Sequence, residues 1–180
     1  MAERLFLALW PGVAQRLALA RVQGALPPRA GRPTHPEDIH LTLVFLGPAS
    51  PEQRQCAEAA AGRVRGQPFE LTLDRMGSFP RARVLWCGAD TASPALAGLV
   101  LALRAGLAGC GFALDERPYR PHATLARKAP ALEARTLNPP IRWLVDSFVL
   151  ACGQEGPPPR YRILRRWSLD GTCGIKSSAP

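Results

Sequence analysis

The tetrapeptide His40-Leu41-Thr42-Leu43 returns as His122-Ala123-Thr124-Leu125, and the two copies use two of the three histidines in the 180-residue chain. Their surroundings repeat as well. Leu5 to Trp10 is a continuous apolar run that reads as a strand buried on both faces, and Pro11 suits the first turn of a helix running to about Leu26. A Pro-rich loop leads into His40 to Leu46, rich in β formers and stopped by Gly47-Pro48. Ser50, Pro51 and Gln53 spell a capping box for a helix to about Val64, and Phe69, Leu71 and Leu73 alternate as a third strand. The second series runs from a strand at Arg83 to Cys87, through a helix from Ser93-Pro94 to about Leu107, to a short strand at His122 to Leu125. A weaker helix near Ala131 to Arg135 and a strand from Ile141 to Leu150 complete it. Phe6 precedes His40 by 34 residues and Leu85 precedes His122 by 37. One strand-helix-strand-helix-strand unit used twice accounts for this order, with units of roughly 1–78 and 79–170 in a single bilobal domain. Tyr161 to Leu169 adds a last strand, and 171–180 reads as a frayed tail.

At 47% apolar and 21% charged residues the chain has the composition of a soluble globular domain, without a run of 18 apolar residues for a bilayer. The N-terminus lacks the basic start and long apolar stretch of a signal peptide. Five cysteines, an odd count without Cys-x-x-Cys spacing, argue against a disulfide framework and against a zinc site and fit a reducing cytoplasm best; a monomer is the default expectation. Lys and Arg outnumber Asp and Glu by 23 to 14, and all but Lys128 and Lys176 are arginine. That imbalance favours polyanionic partners, although GC-rich codons produce the same composition.

In a strand, residues i and i+2 share a face, so His40 and Thr42 project together while Leu41 and Leu43 face the core; His122 and Thr124 do likewise. If the two units pack about a pseudo-twofold, an imidazole stands on each side of one cleft. Two histidines without a metal are what opening a phosphodiester needs: a neutral ring accepts the nucleophile's proton while a protonated ring donates to the leaving oxygen. The threonine hydroxyls can donate to non-bridging phosphate oxygens.

The chain resembles the 2H phosphoesterases, named for two His-x-Thr motifs, and within them the RNA 2′,3′-cyclic phosphodiesterases first described as 2′-5′ RNA ligases. The resemblance runs through Arg4 to Ala8, Glu37 to Gly47, Gly77 to Pro80 with Ala82 to Trp86, Arg117 to Arg127, and Tyr161 to Leu169 with Trp167. The loop Arg32 to Pro36, where relatives often carry an aromatic residue, and Ala123, where they usually carry a larger aliphatic one, depart from it. It implies an α+β bilobal fold with antiparallel sheets lining a central cleft and helices outside. It also implies hydrolysis of RNA 2′,3′-cyclic phosphate ends, or cyclic nucleotides, to 2′-phosphomonoesters with neither metal nor cofactor.

The same family pattern makes Arg127 a phosphate ligand beside Thr42 and Thr124. Strict alternation, however, puts Arg127 on the face opposite His122, so a bulge or the end of the strand after Leu125 has to turn it back. For a 2′-phosphate product the 3′-oxygen leaves. We assign His40 as proton donor, since Glu37 and Asp38 adjoin it, and His122 as proton acceptor, since Arg120 and Arg127 flank it and disfavour an imidazolium. His35 reads as a solvated loop residue, and Arg117 and Arg120 either extend an anionic groove or sit in solvent. Tyr119 and Trp10 adjoin apolar strands and read as core. Two rival readings keep the same residues: reversal of the reaction as 2′-5′ ligation, and an RNA-end-binding module without turnover.

Overall fold

Alternating and continuous apolar runs become nine strands of one antiparallel sheet in the computed structural model, which describes residues 3–169. The expected tail at 171–180 lies outside the described residues. β1 (Glu3–Leu9) leads through α1 (Val13–Gly24) and the two-residue β2 (Arg32–Pro33) to β3 (Leu41–Ala49). α2 (Pro51–Arg63) then precedes β4 (Phe69–Phe79) and β5 (Val84–Gly88). α3 (Pro94–Leu107), β6 (His122–Arg127), β7 (Arg135–Val145), β8 (Ser147–Gly153) and β9 (Tyr161–Ser168) follow. The capping box forms as its residues predict: the Gln53 N–H donates to Ser50 Oγ at 3.2 Å, and the Ser50 N–H to Gln53 Oε1 at 3.1 Å.

The strand order β7-β4-β5-β6-β3-β1-β8-β9 consists of two four-stranded halves that meet at β6 and β3, the two motif strands. They join through a single register pair, Leu41 opposite Ala123. The halves of the sheet are not the consecutive units 1–78 and 79–170, because β4 crosses to the half that holds β5, β6 and β7, while β8 and β9 return to β1. The crossing explains why the expected strand from Ile141 to Leu150 is two strands. Up to Val145 the chain pairs with β4, and from Ser147 it pairs with β1 and β9.

Two further expectations are corrected. Gly47-Pro48 does not stop β3, since Gly47 adopts a positive φ of 77° and Leu46 bulges out of register, so pairing with β1 continues to Ala49. The helix near Ala131 to Arg135 is absent; Ser78 Oγ both receives the Leu132 N–H and donates to its carbonyl, at 2.9 Å each, which removes the groups a helix there would use.

The main core lies between the sheet and its helices, with Leu5, Leu7, Leu41, Leu73, Leu103 and Phe148 essentially inaccessible. α2 and α3 pack together, and a disulfide ties Cys56 on α2 to Cys110 in the short turn that follows α3. This bridge corrects the expectation drawn from the odd cysteine count: its partners stand 54 residues apart, and only packing brings them together.

Candidate active site

Leu41 and Ala123 are both fully buried in the core, so the residues flanking each of them face the other way, into the cleft. Antiparallel register centred on that pair carries His40 toward Thr124 and Thr42 toward His122. Each imidazole therefore stands across from the other motif's hydroxyl. The four residues are partly buried, whereas Leu43 and Leu125 join the core.

Both rings are held in the same way. His40 Nδ1 lies 2.7 Å from the Asp38 carbonyl oxygen and His122 Nδ1 lies 2.7 Å from that of Arg120. A carbonyl only accepts, so each Nδ1 carries the proton and each Nε2 is left free for chemistry in the neutral ring. The carbonyls stand two residues before their histidines in both copies, which extends the repeat from residue types to geometry.

The aromatic side chains around the two imidazoles differ. Trp10 lies parallel to the His40 ring, with centroids 5.2 Å apart and planes 6° from parallel, and Phe6 stacks on it at 4.7 Å. Phe6 and Trp10 are four residues apart, roughly 13 Å along an extended chain, so the two rings flank the imidazole above the small Ala8 between them. Tyr161 closes the box edge-on at 5.0 Å. Trp10, expected in the core, packs on the buried cluster of Phe6, Ala8, Val149 and Ala151 and is at the same time a wall of the site. Tyr119 does serve packing: it joins the main core and its hydroxyl donates to the Thr42 carbonyl at 3.0 Å, tying the loop before one motif to the strand of the other. His122 has one aromatic neighbour, Phe79, edge-on at 4.9 Å.

Burial acts first on both imidazoles. It pushes His40 down from the ordinary 6.5 to about 4, opposed by the Asp38 carbonyl bond and reinforced by the Arg127 charge. It also lowers His122, again with Arg127 adding to the effect. The expected charge effects are present, since the Asp38 charge raises His40 and the Arg127 charge lowers His122, but burial outweighs them and lowers both rings in the free protein. Arg127 disfavours the proton on both rings, and the carboxylate of Asp38, the one buried charged residue among those described, is turned to backbone N–H groups of Arg160 and Tyr161.

Arg127 reaches the cleft by a bulge. β5 pairs Trp86 with Thr124 and Leu85 with Ala126, so Leu125 is skipped, and Leu125 and Ala126 are both buried. The extra residue restores Arg127 to the face of Thr124. A hollow of about 160 Å³ beside His40 is lined by Thr124, Arg127, Arg32, Arg160 and His35. His35 is therefore not a merely solvated loop residue; its Nδ1 also accepts the Glu37 N–H at 3.4 Å, capping the short turn before His40. On the other side of the site a hollow of about 470 Å³ includes His122, Arg120, Phe79 and Trp86. Arg117 is paired with Asp115 on the surface. Arg32 and Arg160 are cleft residues that sequence reasoning missed: Arg32 carries no motif, and Arg160 precedes a strand whose partner was not known. Among the described residues no three His, Cys, Asp or Glu side chains gather in a metal-binding group, and no helix is long and apolar enough to cross a membrane.

A profile of the 2′-5′ RNA ligase superfamily matches residues 10–156. An RNA 2′,3′-cyclic phosphodiesterase of Escherichia coli is 41% identical over 147 residues, which cover 79% of this chain and 82% of that protein. One of Thermus thermophilus is 32% identical, covering 95% of this chain and 92% of its own. The crystal structure of E. coli LigT complexed with 3′-AMP superposes with a TM-score of 0.86 at 34% identity, over 94% of this chain and 99% of that one.

Proposed function

The chain belongs to the 2′-5′ RNA ligase superfamily, and from that premise we propose that it hydrolyses RNA 2′,3′-cyclic phosphate ends to 2′-phosphomonoesters. The observation that carries the reading is the register of Leu41 on Ala123, which aims two Nε2 atoms, each with its Nδ1 committed to a carbonyl, into one cleft. His122 Nε2 accepts a proton from water as its oxygen attacks phosphorus. The bond from phosphorus to the 3′-oxygen breaks, and that oxygen takes the proton of His40 Nε2. Thr42, Thr124 and Arg127 stabilise the charge that builds on the non-bridging oxygens.

His40 as donor is supported by the negative charge of Asp38, which raises the ring, together with that of the substrate itself. A bound phosphodiester brings negative charge beside the ring and so opposes the burial between Trp10 and Phe6 that keeps it neutral in the free protein. Every assigned group sits on a side chain of one chain, so we propose a monomer that needs no metal or cofactor.

Incubation with an oligoribonucleotide ending in a 2′,3′-cyclic phosphate, followed by phosphorus NMR in EDTA, tests the reading. A 2′-monoester is expected. A 2′-5′ linkage formed only when a 5′-hydroxyl RNA is added identifies the reverse reaction, and binding with an unchanged cyclic end identifies a recognition module. Loss of turnover in EDTA that added metal restores overturns the metal-free mechanism.

A further inference from the structure

Three arginines converge on the hollow beside His40, and nothing in the hydrolytic step uses more than one of them. Arg32 on β2 is the direct register partner of Arg127 on β6. Cross-strand partners hold their Cβ atoms about 4.5–5.5 Å apart, where like charges repel. Arg160 lines the same hollow. Among the described residues none of Arg32, Arg127 and Arg160 has a carboxylate within 4 Å; they share this with twelve other arginines, and what sets the three apart is that they line one hollow. The carboxylate of Asp38, which shares the hollow, accepts the backbone N–H groups of Arg160 at 2.8 and 2.9 Å and of Tyr161 at 3.1 Å, and so fixes where Arg160 starts.

The backbone enforces this concentration of charge. Gly31, at φ +94°, lets β2 lie so close to β6 that a Cβ there would meet the Arg127 carbonyl oxygen at 2.6 Å and Ala129 Cα at 2.8 Å. A cyclic phosphodiester brings one negative charge, which Arg127 and the threonines meet. Two guanidiniums remain, forked donors of the kind that grip phosphate oxygens in pairs.

We infer that Arg32 and Arg160 form a second anion subsite, which holds the phosphate linking the terminal nucleotide to the one before it, so that the protein prefers oligonucleotide ends to mononucleotides. The inference rests on the proposed RNA-end activity and adds to it a reading of the chain one nucleotide inward.

The test compares cytidine 2′,3′-cyclic phosphate with a dinucleotide, adenylyl-(3′→5′)-cytidine 2′,3′-cyclic phosphate, and with the same dinucleotide carrying an uncharged methylphosphonate linkage. Wild type is expected to favour the charged dinucleotide by about tenfold or more in kcat/KM and to lose most of that preference with the methylphosphonate. R32Q and R160Q should each reduce the preference several-fold, and the double variant should abolish it; R160Q keeps the backbone N–H that Asp38 binds. Dissociation constants for the matching mononucleotide and dinucleotide 2′-phosphates give the same ratio without turnover. If no cyclic substrate reacts, the proposed activity fails while those binding ratios still decide the subsite. Equal preference for mononucleotide and dinucleotide overturns the inference, and so does a preference that survives in the methylphosphonate. A loss in R32Q and R160Q that is the same for all three substrates overturns it as well.

Discussion

The walled-in imidazole of His40 makes the protein's stability depend on pH in a way that one substitution isolates. Unfolded, the ring titrates near 6.5; folded between Phe6 and Trp10, it titrates at about 4. Because the folded value is depressed, the stability this ring permits is fully present above pH 6.5 and is lost as the pH falls toward 4, where the unfolded chain binds a proton that the folded chain refuses. The linkage relation puts the loss at about 2.5 kcal/mol by pH 4.5, from a value near zero at pH 7.5. The Nε2 edge faces the cleft and keeps some solvent, so a measured difference of ~2 kcal/mol is expected. Urea unfolding of wild type and His40→Gln, followed by tryptophan fluorescence at pH 7.5 and 4.5, measures it. Acidification should cost the wild type ~2 kcal/mol more than the variant, because His122 and the carboxylates titrate alike in both and cancel. Equal acid losses in the two proteins would refute a ring held neutral by burial.

His40→Ala and His122→Ala should each lower turnover by roughly 10²–10⁴-fold with the fold retained, and the double variant should be little worse than the poorer single, as steady-state kinetics on a cyclic-phosphate substrate will show. Thr42→Ala and Thr124→Ala should be milder. The pH profile of kcat/KM should be a bell displaced to the acid side of 6.5, since burial lowers both imidazoles in the free protein, and that of kcat should lie to its alkaline side, since the bound anion raises both. On the residual rates, removing His122 should flatten the acidic limb and removing His40 the alkaline one; the opposite result would exchange donor and acceptor. Gly31→Ala should cost at least ~1 kcal/mol in thermal or urea unfolding and should weaken phosphate binding by calorimetry, because the new Cβ pushes β2 off the Arg127 backbone.

What could be read along the chain was whatever obeys a local period or a local hydrogen bond. His40 and Thr42 share a face because strand side chains alternate, Ser50 and Gln53 cap a helix because they are three residues apart, and the doubled tetrapeptide marked both imidazoles. The need for a break in alternation before Arg127 was legible for the same reason, since alternation alone would have misplaced that side chain. The partners of these elements were not legible. Leu41 meets Ala123 across 82 residues, Cys56 meets Cys110, and the Asp38 carboxylate finds the Arg160 N–H, each set by long-range packing of core faces. Tertiary structure alone also decided that β4 and the pair β8 and β9 change halves of the sheet, because an apolar run such as Ile141 to Leu150 fits either sheet and carries no mark of its neighbour. Sequence thus determined which side chains are candidates for the chemistry and, within the two motifs, which way they face. The protonation of His40, by contrast, depends on Phe6, Trp10 and Tyr161 closing around it, and so on desolvation that exists only once distant segments have packed.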